Sequence, residues 1–280
     1  MESSSLTQTE HSTEEKHTET EEIRTTQTEF DINQICQKYQ LTELHKRKLQ
    51  TLIIDASQQE AIQNVEQRTD KWKESRKNRI TASKFGAARN HCPYNTKSKL
   101  LKELLWDTFQ GNFATEYGRN NEQNAEDKYV QIMRHHFKLT EEEFYVTHVG
   151  LTVPIHYPWA GVSPDGFVFD NSEPIHKHGG LEIKAPWKGK LYNHIPSQYY
   201  DQLQGAMGFL NIPWWDFVVW TPSQTQIRRV WFDKMYWEQE LFPRLEEFYM
   251  SDYLPRLVLK ECGDLQYNHE NAVTEIDIHD

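Results

Sequence analysis

The chain is 280 residues long, 37% hydrophobic and 12% aromatic, enough for one large domain with a real core or for two small ones. Its longest apolar stretches, such as Phe217 to Trp220, run to about five residues, which excludes a transmembrane helix of about 20, and residues 1–5 carry neither the basic nor the apolar start of a secretory or transit signal. Cys36, Cys92 and Cys262 form no C-x-x-C pair, so reduced intracellular thiols are expected rather than a disulfide framework or a thiolate zinc site.

The net charge of -11 divides unevenly: residues 1–30 and 261–280 each carry -6, which leaves the body between them at +1. Within that body, residues 68–102 set eleven Lys and Arg against Asp70 and Glu74, a local +9. Local charge decides whether phosphates are held, so the acidic total does not exclude a nucleic-acid partner.

In chain order, residues 1–30 are Thr, Glu, Ser and Gln with almost nothing apolar, and read as a disordered acidic tail. Residues 31–68 read as a helical N-terminal extension, with Ile32, Ile35, Tyr39, Leu49, Leu52 and Ile62 at loosely helical spacing. A denser, aromatic-rich body runs over 69–260. Helices are expected at 81–90, with Thr81 as N-cap, at 96–106 and at 116–137. Strands are expected at 144–149, 159–162, 167–169 and 181–184. A helix over 197–210 buries Leu203, Met207 and Leu210; strands at 216–220 and 226–232 follow, then a helix over 233–260 broken near Pro255. Residues 261–280 read as a second disordered acidic tail. This order describes an α/β (α+β) fold with a central mixed sheet flanked by helices.

Two segments carry chemistry. Ser163-Pro164-Asp165-Gly166 precedes Leu181-Glu182-Ile183-Lys184, with Asp165 sixteen residues before Leu181. Side chains two apart on a strand share a face, so Glu182 and Lys184 lie together while Leu181 and Ile183 face the opposite layer. If Asp165 ends the adjoining strand, two carboxylates converge on a site for a hard cation such as Mg²⁺, with the Ile183 carbonyl as a further ligand and Lys184 beside the water. Alone, so short a pattern is more often a surface turn beside a salt-bridged strand. Glu122 lies on the stripe Gly118, Glu122, Ala125, Tyr129, Ile132 that turns inward on its helix, and either wants a cation there or pairs with Arg119 at the boundary. Arg76 to Ser83 places cations and hydroxyls before and on a helix start, which suits a phosphate or is a solvated charged face. Tyr199 and Gln202 share one helix face. His135-His136 and His176-Lys177-His178 lack a completing cysteine and read as solvated, and the tryptophans, Trp106, Trp220 and Trp231 among them, read as core.

Taken together, R-x₃-ITAS (76–83), G-R-x₂-E-x₂-A (118–125), SPDG (163–166), LEIK (181–184) with a following Pro, and Y-x₂-Q-x-Q (199–204) resemble the YqaJ-type viral recombinase family, the lambda-exonuclease branch of the PD-(D/E)XK nucleases. The likeness runs from about Arg68 to Leu257. It implies that Asp165 and Glu182 hold the metal, that Glu122 completes the metal site, usually through water, and that Lys184 is the catalytic lysine. It further implies that Arg76, Ser83 and Ser163 grip a terminal 5′-phosphate, and that Tyr199 and Gln202 flank the scissile phosphate. The stretch Lys77-Asn78-Arg79 is more polar than its counterpart in the phage enzyme, and residues 1–68 have no counterpart there.

The resemblance implies a Mg²⁺-dependent deoxyribonuclease, with Mn²⁺ able to substitute, that degrades linear double-stranded DNA from a 5′ end in recombination, repair or viral and transposon DNA processing. It also implies a homotrimer and a recombination or single-strand-annealing partner. No membrane association is expected, and a DNA substrate favours the nucleus. The competing readings are a structure-selective or restriction-like endonuclease of the same superfamily, and a non-catalytic DNA-binding or adaptor module.

Overall fold

The computed structural model of the chain describes residues 30–107 and 111–267. Most of both acidic tails, expected to be disordered, lies outside those residues. Three short helices come first, α1 (Ile32–Lys38), α2 (Glu43–Gln50) and α3 (Ala56–Gln63). Asp31 and Asp55 cap α1 and α3 by accepting backbone amides at 2.8–3.0 Å. These helices lie against the body, with Leu49 and Leu52 buried in its main core.

A fourth helix, α4 (Asp70–Arg76), was not expected, since its composition is charged almost throughout. Thr69 caps it, accepting the Trp72 amide at 3.3 Å. Thr81, expected to cap the next helix, makes no such bond. It lies instead in β1 (Ile80–Thr81), a two-residue strand parallel to β3 (Ala160–Gly161). A 3₁₀ turn over 82–84 leads into the short α5 (Phe85–Ala88), and α6 (Lys97–Trp106) and α7 (Phe113–Phe137) follow.

Among the described residues the main sheet has five strands in the order β2 (Phe144–Thr147), β4 (Gly166–Asp170), β5 (His178–Lys184), β6 (Trp214–Trp220) and β7 (Thr225–Trp231). All neighbours are antiparallel except β5 and β6, which α8 (Ser197–Leu210) joins as a crossover. Strand alternation splits the core in two. Leu181, Ile183, Trp214 and Val218 pack with Ala125, Tyr129 and Met133 of α7. Trp215, Phe217 and Val219 pack with Leu203, Ala206 and Met207 of α8.

β5 starts three residues before the expected Leu181 because Gly179 and Gly180 let the β6 indoles lie across it. A Cβ on either would fall 2.2 Å from the Trp214 or Trp215 ring. α8 is buried nearly all round, with Asp201, Gln202 and Gln204 inside as well as its apolar face. The sheet covers one side, and α5 and the C-terminal helices cover the other. Those helices are α9 (Lys234–Tyr236), α10 (Phe242–Glu247) and α11 (Leu254–Cys262), joined by π-type turns. Pro255 does not break the helix but stands in the first turn of α11, where a missing N–H costs little, and α11 runs to Cys262, past the expected boundary at 260. Trp159, Trp214 and Trp215 are buried, whereas Trp231, expected in the core, ends an edge strand 48% exposed.

Candidate active site

The pairing of Gly166 with Leu181 places Asp165, one residue before β4, beside the end of β5. Its backbone amide donates to the Leu181 carbonyl at 3.2 Å, and its Oδ2 accepts the Ile183 amide at 2.6 Å. On the α8 side of β5, Lys184 Nζ donates to Glu182 Oε1 and stands 4.8 Å from the Tyr199 ring centre. α7 runs past the end of the sheet and brings Glu122 to the same region, where it pairs with Arg68, not with Arg119. The stripe behind it is Ala125, Tyr129 and Met133; Ile132 is only half-buried.

The electrostatics tie these groups together. Burial pushes the Asp165 carboxyl well above the usual carboxylate range; Glu182 adds to the rise and Glu122 adds less, while Lys184 and the Ile183 amide oppose it. Burial works against the charge of Lys184, yet Glu182, Tyr199 and Asp165 outweigh it and hold the ammonium above the ordinary lysine range. Glu182 and Glu122 thus both act on the Asp165 carboxyl, with Lys184 opposing them. Among the described residues no three His, Cys, Asp or Glu side chains close directly around a single position. Each carboxylate of the trio is held by a partner of its own: Asp165 by the Ile183 amide, Glu182 by Lys184 and Glu122 by Arg68. The donor set is nevertheless the all-oxygen kind that a hard divalent cation takes, and the repulsion at Asp165 is the kind that such a cation relieves.

The site opens into a cleft of about 1230 Å³ whose lining includes Trp72, Glu122, Asp165, Glu182, Ile183, Lys184 and Tyr199. Trp72 connects it to the basic segment. Its Nε1 donates to Ser163 Oγ at 3.2 Å, and the Arg76 guanidinium stacks 4.0 Å from its ring centre. Arg76 also donates to Thr81 Oγ1 at 3.0 Å, and no carboxylate among the described residues pairs with it. Burial pushes this guanidinium down to about 10. A desolvated cation without a counter-anion is a poor solvated face and a good phosphate holder. Arg79 is structural: it is buried and donates to the Ser75 and Leu52 carbonyls at 3.0 and 2.8 Å.

Of the residues singled out in the sequence, Asp165, Glu182, Ile183, Lys184, Glu122 and Tyr199 come together at the cleft, and Arg76 and Ser163 join through Trp72. Ser83 is exposed and Gln202 is buried in α8, and neither lines the cleft. Three contributors were missed. Trp72 was not singled out within the aromatic-rich body. Arg68 read only as part of the basic run. Gln67 Nε2 donates to the Val149 and Pro164 carbonyls at 2.8 Å each and so fixes the turn that carries Asp165.

A model of the YqaJ-like viral recombinase domain matches residues 71–210. A search of curated proteins finds no match. The crystal structure of an alkaline exonuclease (LHK-Exo) from Laribacter hongkongensis superposes with a TM-score of 0.50 at 24% identity, covering 70% of this chain and 99% of that one. The same enzyme in complex with dAMP gives 0.51, with equal identity and coverage. A phage-related exonuclease from Haemophilus somnus 129PT gives 0.43 at 15% identity, covering 65% and 96%. At this level of identity the LHK-Exo structures speak to the fold alone, a mixed sheet between helices.

Proposed function

The chain belongs to the YqaJ-like viral recombinase domain family, and from that premise we propose that it is a Mg²⁺-dependent DNA exonuclease that removes one strand of a linear duplex from its 5′ end. The observation that carries this reading is the convergence of Asp165, Glu182 and Lys184 at the joined ends of β4 and β5, facing a cleft beside the uncompensated Arg76. The described residues contain no helix long and apolar enough to cross a membrane.

Asp165, Glu182, the Ile183 carbonyl and Glu122 are the groups that would hold Mg²⁺ or Mn²⁺. When bound, the ion supplies Lewis acidity and a more acidic water. Lys184, kept charged by its carboxylate neighbours, offers its ammonium to charge developing on the phosphate. Glu182 and the Tyr199 ring fix where that ammonium points. Arg76 and Ser163, braced by Trp72, take a terminal 5′-phosphate, with exposed Ser83 as a further hydroxyl on the adjoining turn. Gln202 is buried in α8 away from the cleft lining, so no phosphate contact is assigned to it. Gripping the end favours ends over internal sites and yields single-stranded DNA for annealing or recombination. A homotrimer around DNA, a single-strand-annealing partner and a nuclear or viral-replication setting belong to the same proposal.

The test is cleavage of 5′-phosphorylated linear duplex with and without Mg²⁺, by wild type, Asp165→Ala and Lys184→Ala. Strand loss from the 5′ end is expected only from wild type with the cation. Equal processing by the variants would leave a DNA-binding or adaptor module as the better reading. Cutting of a covalently closed circle would favour an endonuclease.

A further inference from the structure

Beside the catalytic cleft two exposed rings go unused by the proposed chemistry, one on the loop from β5 to α8 and one at the start of α7. Trp187, three residues after Lys184, is 49% exposed, and Phe113 at the start of α7 is 65% exposed. They meet edge to face, with centroids 5.7 Å apart and planes at 86°. Trp187 lines the cleft together with Lys188 and Lys190 from its own loop. Both lysines are exposed, and among the described residues neither forms an ion pair, although Lys188 Nζ stands 5.1 Å from the Trp187 ring centre.

The arrangement is held in place. Arg228 on β7 donates to the Tyr192 and Asn193 carbonyls at 2.7 and 2.8 Å and anchors the far end of the loop. At the near end, a Cβ on Gly118 would lie 3.9 Å from the Ala185 carbonyl oxygen, so α7 runs within van der Waals range of the loop. Two large rings left in water beside a polar cleft, on anchored backbone and among unpaired ammonium groups, form a surface that awaits a flat, negatively charged partner.

We propose that Trp187, braced by Phe113 and flanked by Lys188 and Lys190, is a stacking site for an unpaired nucleobase of single-stranded DNA at the mouth of the cleft. A ring can stack on a base only when that base is unpaired or terminal, so this site distinguishes a frayed or single-stranded end from duplex interior. The lysines hold the adjoining phosphates. The site deepens the nuclease reading and rests on it for the origin of the single strand.

The test is fluorescence anisotropy of a labelled oligothymidylate and of a labelled blunt duplex, both in EDTA so that nothing is cut. Trp187→Ala is expected to weaken oligothymidylate binding by about 10-fold or more, while the blunt duplex changes by less than about 3-fold. Trp187→Phe restores most of the loss, and Lys188→Ala with Lys190→Ala makes oligothymidylate binding less salt-dependent than in wild type. Unchanged oligothymidylate binding by Trp187→Ala overturns the proposal, as does an equal loss on both ligands. If wild type cuts no DNA yet Trp187→Ala loses oligothymidylate, the nuclease reading falls and this site stands; if wild type cuts and Trp187→Ala binds normally, the reverse holds.

Discussion

Two ionic clusters lie on the same sheet. Asp165, Glu182 and Lys184 meet at the ends of β4 and β5 and face the open cleft. Asp170, Asp216 and Arg229 meet on the α7 face and are closed in by Tyr129 and Trp214. In the closed cluster Asp216 accepts two bonds from Arg229, at 2.9 and 2.8 Å, and one from Tyr129 Oη at 2.6 Å. Arg229 also donates to Glu173 at 2.8 Å and stacks 3.6 Å from the Trp214 ring centre. Burial opposes its charge, but Asp216 and Asp170 outweigh that and hold the guanidinium above the arginine range. In the open cluster the balance runs the other way, and burial together with Glu182 lifts Asp165 out of the carboxylate range. The number of charges does not tell structure from function here. What does is whether the carboxylates are neutralised from within the fold or left repelling one another at a cavity.

The largest expected effects test that division from both sides. Asp165→Asn should lower cleavage by on the order of 10³-fold or more while leaving the fold intact, because it removes a carboxylate proposed to hold the cation and no core packing. Asp216→Ala should do the opposite. It removes two bonds to Arg229, which still keeps Asp170 and Glu173, and leaves the buried Tyr129 hydroxyl without its acceptor, at a cost of about 1–3 kcal/mol. Urea melts should register that loss, while the rate per folded molecule stays within about threefold of wild type. Should Asp216→Ala remain fully stable and lose cleavage, the two clusters are not divided as described.

A smaller effect follows from the lifted Asp165 carboxyl. Its pKa in the folded chain lies above the unfolded value, so the folded state keeps this proton to higher pH. Its contribution to stability is therefore complete below the unfolded value and is lost as pH rises through the folded one. Asp165→Asn has no such loss. In EDTA the melting temperature of the variant should overtake that of wild type increasingly as pH is raised from about 4 to 9. Mg²⁺ should narrow the gap by restoring wild type alone. A gap that shrinks with pH would contradict the electrostatic account.

Much of the open cluster was legible in the sequence because its parts obey local rules. Glu182 and Lys184 share a face by strand alternation, and the turn before Gly166 pointed to a strand end. Glu122 was legible as a carboxylate on an inward stripe, but its partner was not, since Arg68 is brought by a loop whose course no periodicity encodes. Gln67 was hidden for the same reason: it acts on backbone carbonyls 82 and 97 residues away. The early start of β5 escaped because Gly179 and Gly180 carry no strand signal, although their smallness is what the Trp214 and Trp215 rings require. α4 escaped because the face that carries Trp72 and Arg76 is not an apolar stripe. The closed cluster was invisible for a different reason. Asp170, Asp216 and Arg229 come from three strands, and only sheet register joins them.

The smallest expected effect concerns the residue that stands between the two behaviours. Arg68 pairs with Glu122 as the closed cluster pairs its carboxylates, yet both partners remain partly exposed at 45% and 33%. Such a pair is worth about 0–1 kcal/mol, so Arg68→Ala should hardly move the melt. Arg68 also has φ 73, the left-handed region that glycine occupies freely, so Arg68→Gly should offset even that small loss. The readable consequence lies at the carboxylates. With its guanidinium removed, Glu122 adds its full charge to the field around Asp165, and calorimetric titration with Mn²⁺ should show affinity rising by about 2–5-fold, the range that a screened charge at the cleft mouth supplies. Glu122→Gln should shift it the other way by a similar factor. Weaker Mn²⁺ binding by Arg68→Ala would mean that Arg68 supports the cation site by holding Glu122 in place, and the open cluster would then be partly built from within, as the closed one is.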